Sequence, residues 1–261
     1  MTGDLLGWGS LAASLLLVLI AVGVTARERL GLTREIVTAV VRSLVQMVIV
    51  GAALVPIVDP DTPMAWSWAW VVAIVVFAAV TTARRAPDVP GIFPVALAAN
   101  AAVGVVGLSI VFGLDVFELS GRTLVPVAGM VIGNSMKSAV VGATRVSESV
   151  AEHRGEIEAG LALGLTTRVA TRRFMRSSLR TAISPQVEQT AALGIVFLPG
   201  AMTGLLLAGV EPLTAVRAQL ALMYVILAGV VIAASVTAYG TLSRLTTADE
   251  RLVRVARSSR G

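Results

Sequence analysis

The chain has no cysteine and a single histidine, His153. The first absence excludes disulfides, thiolate metal cages, iron–sulfur clusters and a thiol nucleophile. The second leaves too little imidazole for a histidine-rich metal centre, and a Ser-His-Asp triad would need His153 itself in place. Charge is scarce as well. Only 14% of the 261 residues carry it, against about 25% in an average soluble domain. The phosphate-loop pattern G-x-x-x-x-G-K-[ST] is also missing. The nearest stretch, residues 129–138 ("GMVIGNSMKS"), has neither the spacing nor a preceding soluble strand. No site for ATP hydrolysis and no enzyme active site is therefore expected, and no cofactor is expected in this chain.

Hydrophobic residues make up 56% of the chain and the mean hydropathy is +0.85. That excess of apolar surface calls for lipid rather than a soluble globule. A bilayer core about 30 Å thick takes ~20 apolar residues as a helix. Seven such runs are legible, at about 5–25, 36–58, 65–82, 92–113, 123–143, 191–210 and 214–241. They are too long and continuous for barrel strands, so the expectation is an all-α polytopic membrane bundle. The first run lacks a basic leader and is long for a cleaved signal, so it reads as a retained span. We expect one transmembrane domain over 1–261, with a cytoplasmic segment at 145–185 and a cytoplasmic tail at 242–261.

The net charge is +5, but its distribution does not point to nucleic acid. Arginines fall in the first, third and fifth loops (Arg27, Arg29, Arg34; Arg84, Arg85; Arg145 to Arg180) and in the tail. The alternate loops hold Asp59, Asp61, Asp115, Glu118 and Glu211, against only Arg122 and Arg217. The positive-inside rule then places the N-terminus outside and the C-terminus in the cytoplasm of a cell (inner) membrane. Trp66, Trp68 and Trp70 open the third span where an aromatic belt belongs.

Residues 145–185 form the one long polar stretch between apolar runs. Val146, Val150, Ile157 and Leu161 share one helical face, and Glu148, Glu152 and Glu156 another. Gly164 and Thr166–Thr167 read as the stop of one helix and the cap of the next. Arg172, Arg176 and Arg180 recur at four-residue spacing, opposite Ala170, Phe174 and Ala182. Two readings follow: a helix lying on anionic headgroups, or a helix–turn–helix held out for a partner. His153 reads as a solvated surface residue.

Polar and irregular residues mark the spans. Pro126 and Pro199 free carbonyls and kink helices. Gly129 and Gly133, and again Gly200 and Gly204, are four apart, the spacing of ordinary close helix packing. Arg42 and Gln46 lie in the second span, Asn100 in the fourth, Asn134 and Lys137 in the fifth. Lys137 and Arg42 are close enough to a membrane face to snorkel. Asn134 either bonds a neighbouring helix or lines a pathway. Glu188 either pairs with Arg180 or Arg42, or sits at the mouth of a cation route. Met130, Met136, Met202 and Met223 read by default as core fillers.

Four stretches carry a family resemblance: "PVAGMVIGNSM" (126–136), "EAGLALG" (158–164), "SPQVEQTAALGIVFLPGAMTGLLLAG" (184–209) and "EPLTAVRAQL" (211–220). The chain resembles the Fet-type permeases of ABC transporters, which include bacterial iron-export permeases (FetB) and plant aluminium-sensitivity half-transporters. The resemblance is close from about 125 to 241 and looser before. It implies a permease that pairs with a second copy of itself and with a separate cytoplasmic ATPase subunit, and that moves a metal ion, iron, outward. Glu158, Ala159 and Gly164 resemble the E-A-A-x-x-x-G coupling motif, with Gly160 in place of its second alanine. Leu161, Thr166 and Arg168 lie in the same turn, which would dock on the ATPase. Asn134, Met136, Pro185, Glu188, Pro199, Gly200, Met202 and Gly204 match family positions. The resemblance makes Asn134, Met136, Glu188, Pro199, Gly200, Met202 and Gly204 pathway candidates, and Glu188, Met136 and Met202 candidate metal ligands. Glu188 stands where the family would have aspartate, and Lys137 where it would have a small or apolar residue. Two other readings stay open: a gradient-driven secondary transporter with Asn134 and Glu188 as ion ligands, and a non-transporting scaffold that recruits a cytoplasmic partner.

Overall fold

Apolar periodicity this strong leaves the backbone one economical solution, helices that satisfy their own N–H and C=O groups. The computed structural model describes residues 8–29, 31–59, 61–194, 199–247 and 249–253, with side chains from residue 15 onward, and its regular elements are all helical. Contacts divide the chain into two units, residues 1–57 and 58–261.

The first unit is a helical pair, α1 (Trp8–Arg27) and α2 (Thr33–Ile57), joined by a turn with Arg29 and Gly31 at positive φ. The expected first span coincides with α1, and its residues 5–7 lie outside the described residues. None of α2 is buried, Arg42 and Gln46 included. By length and composition α2 is able to cross a membrane.

The second unit opens with α3 (Met64–Arg85), α4 (Ile92–Gly113) and α5 (Gly121–Glu152). Three shorter elements follow: α6 (Arg154–Ala162), α7 (Thr167–Ala170) and α8 (Arg172–Ala191). The unit closes with α9 (Gly200–Leu207) and α10 (Pro212–Leu245). Helix α5 is its axis and packs on α3, α4, α8 and α10; α10 also packs on α4, α8 and α9. Val103, Leu124, Val131, Ile132, Leu222 and Val230 fill the core where these helices meet. At 1.5 Å per residue α5 is about 48 Å long and outruns a hydrocarbon core of about 30 Å. Its last turns carry Val146 and Val150 beyond the central core into a second apolar cluster.

Five of the expected spans are confirmed as long apolar helices, α2 to α5 and α10. The sixth, expected as one helix over 191–210, is not. Helix α8 ends at Ala191, Gly194 takes φ +82°, and an eight-residue α9 starts after Pro199; residues 195–198 lie outside the described residues. Gly194 in the left-handed region stands just beyond the end of α8, and Pro199, with extended backbone, stands just before α9, so among the described residues the apolar run is not one ladder. Eight residues reach about 12 Å, which does not cross a bilayer.

The packing glycines are also not the expected ones. A Cβ at Gly129, Gly133, Gly200 or Gly204 would meet nothing within 4 Å. Instead α5 approaches α10 at Gly142, where a Cβ would lie 3.0 Å from the Ala234 carbonyl oxygen. At Gly240 a Cβ would collide with Val95.

One end of the second unit gathers its arginines. Ala86, Val89 and Ile92, from the α3–α4 connection, pack with Ala143 of α5, and the Arg244 guanidinium lies against Gly91. Arg84, Arg85, Arg145 and Arg244 therefore share that end with the α6–α8 hairpin. The α4–α5 connection, with Asp115 and Glu118, lies at the opposite end.

Candidate functional site

The hairpin at residues 153–191 is built on a small core of its own. Ile157 is fully buried, and with Val146, Val150, Phe174, Leu242 and Leu245 it forms the second apolar cluster, against which Leu161 and Ala170 also pack. The faces expected from sequence are thus the buried ones. Arg172, Arg176 and Arg180 lie on the exposed side of α8, opposite Phe174 and Ala182. His153 departs from expectation. Its ring lies 4.4 Å from that of Phe174 and its Nδ1 is 3.1 Å from the Ser149 carbonyl oxygen, so it is half-buried at the joint between α5 and α6.

The turn after α6 is closed by two backbone bonds. The Leu165 N–H donates to the Gly160 carbonyl (3.1 Å) and the Gly164 N–H to that of Leu161 (3.0 Å). This is a Schellman end, and Gly164, at φ +86°, occupies its left-handed position. A Cβ at Gly160 would meet Ala170 at 3.4 Å and Leu165 at 3.5 Å, so an alanine fits there. Thr166 takes the N-cap position of the next helix as expected, but its side chain makes no cap bond. The Glu250 carboxylate accepts from the Thr167 N–H (2.6 Å) and from its hydroxyl. These bonds, the hydroxyl's first, hold the Glu250 carboxyl below its ordinary pKa.

Glu250 arrives because the tail folds back. Thr246 bridges to Leu252, and the Val253 N–H donates to the Leu245 carbonyl (2.9 Å). Arg154 of α6 donates to the carbonyls of Val253 (3.0 Å) and Leu252 (3.1 Å) while pairing with Glu158 at 2.7 Å. The loop at 246–253 is a clasp on the hairpin. Arg254, Arg257 and Arg260 of the expected tail lie outside the described residues. The distal end of the hairpin stays open: Leu163 is 84% exposed, Val169 55% and Leu165 45%. A hollow of 640 Å³ beside them is lined by Glu156, Ala159, Gly160, Ala170 and Arg173 among others. Glu158, Ala159, Gly164, Thr166 and Arg168 are exposed around this tip, and Leu161 is half-buried.

The pathway candidates lie on three elements. Asn134 and Met136 are half-buried on α5, and Lys137 is exposed. The Asn134 Nδ2 donates to the Met130 carbonyl of its own helix (2.8 Å) rather than across to a neighbour. Met136 packs onto the central core. Glu188 is exposed near the end of α8, with Arg180 in one shallow hollow of 290 Å³ but not ion-paired with it. Pro199 caps α9, on which Gly200, Met202 and Gly204 lie. Among the described residues no three of His, Asp and Glu come together as a metal cage.

Two glutamines escaped the sequence reading. Gln219 is buried on α10, and its Oε1 accepts from the Met202 N–H (3.2 Å), tying the start of α9 down. Gln186 is buried on α8, with its Nε2 unpartnered. Their signal was a lone carboxamide near an irregular span.

Comparison with known proteins follows this geometry. The model of a family described as "Uncharacterised protein family (UPF0014)" matches residues 8–246. The rice UPF0014 membrane protein STAR2 is 33% identical over 87% of this chain and 79% of its own length. The Bacillus subtilis UPF0014 membrane protein YjkA is 31% identical over 93% and 97%. The Escherichia coli "Probable iron export permease protein FetB" is 28% identical over 94% of each. No solved structure matches. Relatives that are membrane proteins and five long apolar helices make this a multi-pass membrane protein.

Proposed function

The chain belongs to the UPF0014 family, and from that premise we propose that it is the membrane-spanning permease subunit of an ABC transporter. In this reading a separate cytoplasmic ATPase docks on the hairpin tip, and the cargo is a metal ion exported from the cell. The observation that carries it is the tip itself. Leu163, Leu165 and Val169 hold apolar surface in water on a turn fixed by a Schellman end and clasped by the tail. Surface apolar groups held rigidly in solvent mark a protein contact. A chain without a phosphate loop needs such a contact to be driven by ATP.

Iron is the cargo that the name of the Escherichia coli relative supports. Asn134, Met136, Glu188 and the α9 residues Pro199, Gly200, Met202 and Gly204 would line the route. The pairs Gly129 with Gly133 and Gly200 with Gly204 face open space in one chain, which supports a second copy completing that route. Orientation follows the arginine-rich end, with the hairpin in the cytoplasm.

The test is co-expression and co-purification with the ABC ATPase subunits that the same genome encodes without a membrane domain of their own. Wild-type protein is expected to bring the ATPase down, and Leu163→Asp to lose it while inserting normally. Retention of the ATPase by Leu163→Asp would sink the docking surface. Whole-cell iron should rise on deletion and stay raised when the deletion is complemented with Glu188→Ala or Asn134→Ala.

A further inference from the structure

A second hollow runs from the edge of the hairpin tip along α7 and α8 to the C-terminal end of α10. Its volume is 920 Å³. Arg168, Arg172 and Arg176 line one wall, and all three are exposed. The ion pairs among the described residues join Arg145 to Glu148, Arg154 to Glu158 and Arg173 to Glu156, which leaves these three guanidiniums uncompensated. Glu250 also borders the hollow, but its carboxylate is engaged by Thr167. Met175, Leu179 and Leu242 form an apolar floor, and Tyr239 and Ser243 the opposite wall.

Where the hollow opens decides what it suits. Tyr239 and Ser243 end an exposed stripe of α10 that runs through Tyr224, Ala228, Val231 and Val236. On a membrane-spanning helix an apolar stripe that its own unit leaves open suits contact with lipid. The hollow therefore sits where apolar flank turns into arginine, with a tyrosine at the border, as at a bilayer–water boundary. A soluble anion would have no use for the apolar floor. A lipid phosphate brings acyl chains that cover it, and basic pockets at such positions bind anionic headgroups.

We propose that this hollow is a binding site for an anionic phospholipid, its phosphate held by Arg168, Arg172 and Arg176 and its acyl chains lying along α10 beside Tyr239. The site borders the proposed ATPase contact: Val169, Arg172 and Arg176 line both hollows, whereas Tyr239, Leu242 and Ser243 line this one alone. Bound lipid would fix α8 against α10 at the base of the hairpin.

The experiment uses full-length protein purified in phosphatidylcholine nanodiscs with a minor fraction of phosphatidylglycerol, and counts retained lipids by native mass spectrometry. Wild-type protein is expected to retain phosphatidylglycerol over phosphatidylcholine. Removing two guanidiniums, in Arg172→Gln/Arg176→Gln, should weaken retention roughly 30-fold. Ser243→Glu places a like charge in the hollow away from the hairpin and should lose the lipid while still binding the ATPase. Leu163→Asp should do the reverse. Unchanged retention in both Ser243→Glu and the double arginine variant would overturn the site. So would displacement of the lipid by inorganic phosphate alone, which would assign the hollow to a soluble anion. Loss of ATPase binding in Ser243→Glu with lipid retention intact would assign it to the ATPase.

Discussion

Thr241 and Thr237 sit one turn apart on α10, both fully buried, and differ in one bond. The Thr237 hydroxyl donates to the Ala233 carbonyl at 2.7 Å, while the Thr241 hydroxyl has no partner. A buried unsatisfied hydroxyl costs about 1–3 kcal/mol. Thr241→Val, which keeps the shape, should therefore hold or raise the thermal midpoint in detergent, whereas Thr237→Val should lower it. A lower midpoint for Thr241→Val would mean that the hydroxyl has a partner in the membrane. Glu250 makes a second prediction at this scale. Folding lowers its pKa from an ordinary value of 4.5, so its bonds to Thr167 stabilise the clasp above that pH. The contribution fades as pH falls through the lowered value. The protection factor of the Thr167 amide, with the intrinsic pH dependence of exchange divided out, should be high at neutral pH and fall in acid. In Glu250→Gln the amide should exchange faster at neutral pH, with the acid-dependent step abolished.

Much of the hairpin was legible because its pattern is local. Val146, Val150, Ile157 and Leu161 repeat at helical spacing, and Gly164 is the residue that a left-handed helix end demands. What was illegible is long-range. The Thr167–Glu250 contact spans 83 positions, and nothing in the residues around Glu250 announces it. Hydropathy sees the run at 191–210 as one span because it averages over Pro199. Small-residue spacing names candidate faces but not occupants, so Gly129 and Gly133 looked like the packed pair when Gly142 is. That difference is testable on one helix. Gly142→Ala drives a methyl against backbone and should destabilise by about 1–3 kcal/mol. Gly133→Ala should leave the isolated chain as stable or up to about 1 kcal/mol more so. Loss of transport in that variant would then support the second copy proposed above. Within the hairpin, Ile157→Ala should cost about 2–5 kcal/mol and raise protease sensitivity there first.

At the scale of the whole molecule, the arrangement of charge makes a statement about sidedness. Arginines collect at the hairpin end of the second unit, Asp115 and Glu118 at the other. The native chain is free of cysteine, so a single introduced thiol reports its own location. In intact cells an impermeant maleimide should label Glu118→Cys directly, and Ser177→Cys only after permeabilisation. The opposite pattern would invert the molecule and remove the hairpin from any cytoplasmic motor.

The loop at 246–253 carries a consequence for biosynthesis. It holds α6 and α7 by Arg154 and Thr167, yet it leaves the ribosome after every other described residue. The hairpin is therefore made before the segment that fastens it, with all of α10 between them in the chain. The rigidity of its turn depends on α10 having packed first, so that the order of assembly runs from the long helices outward to the turn.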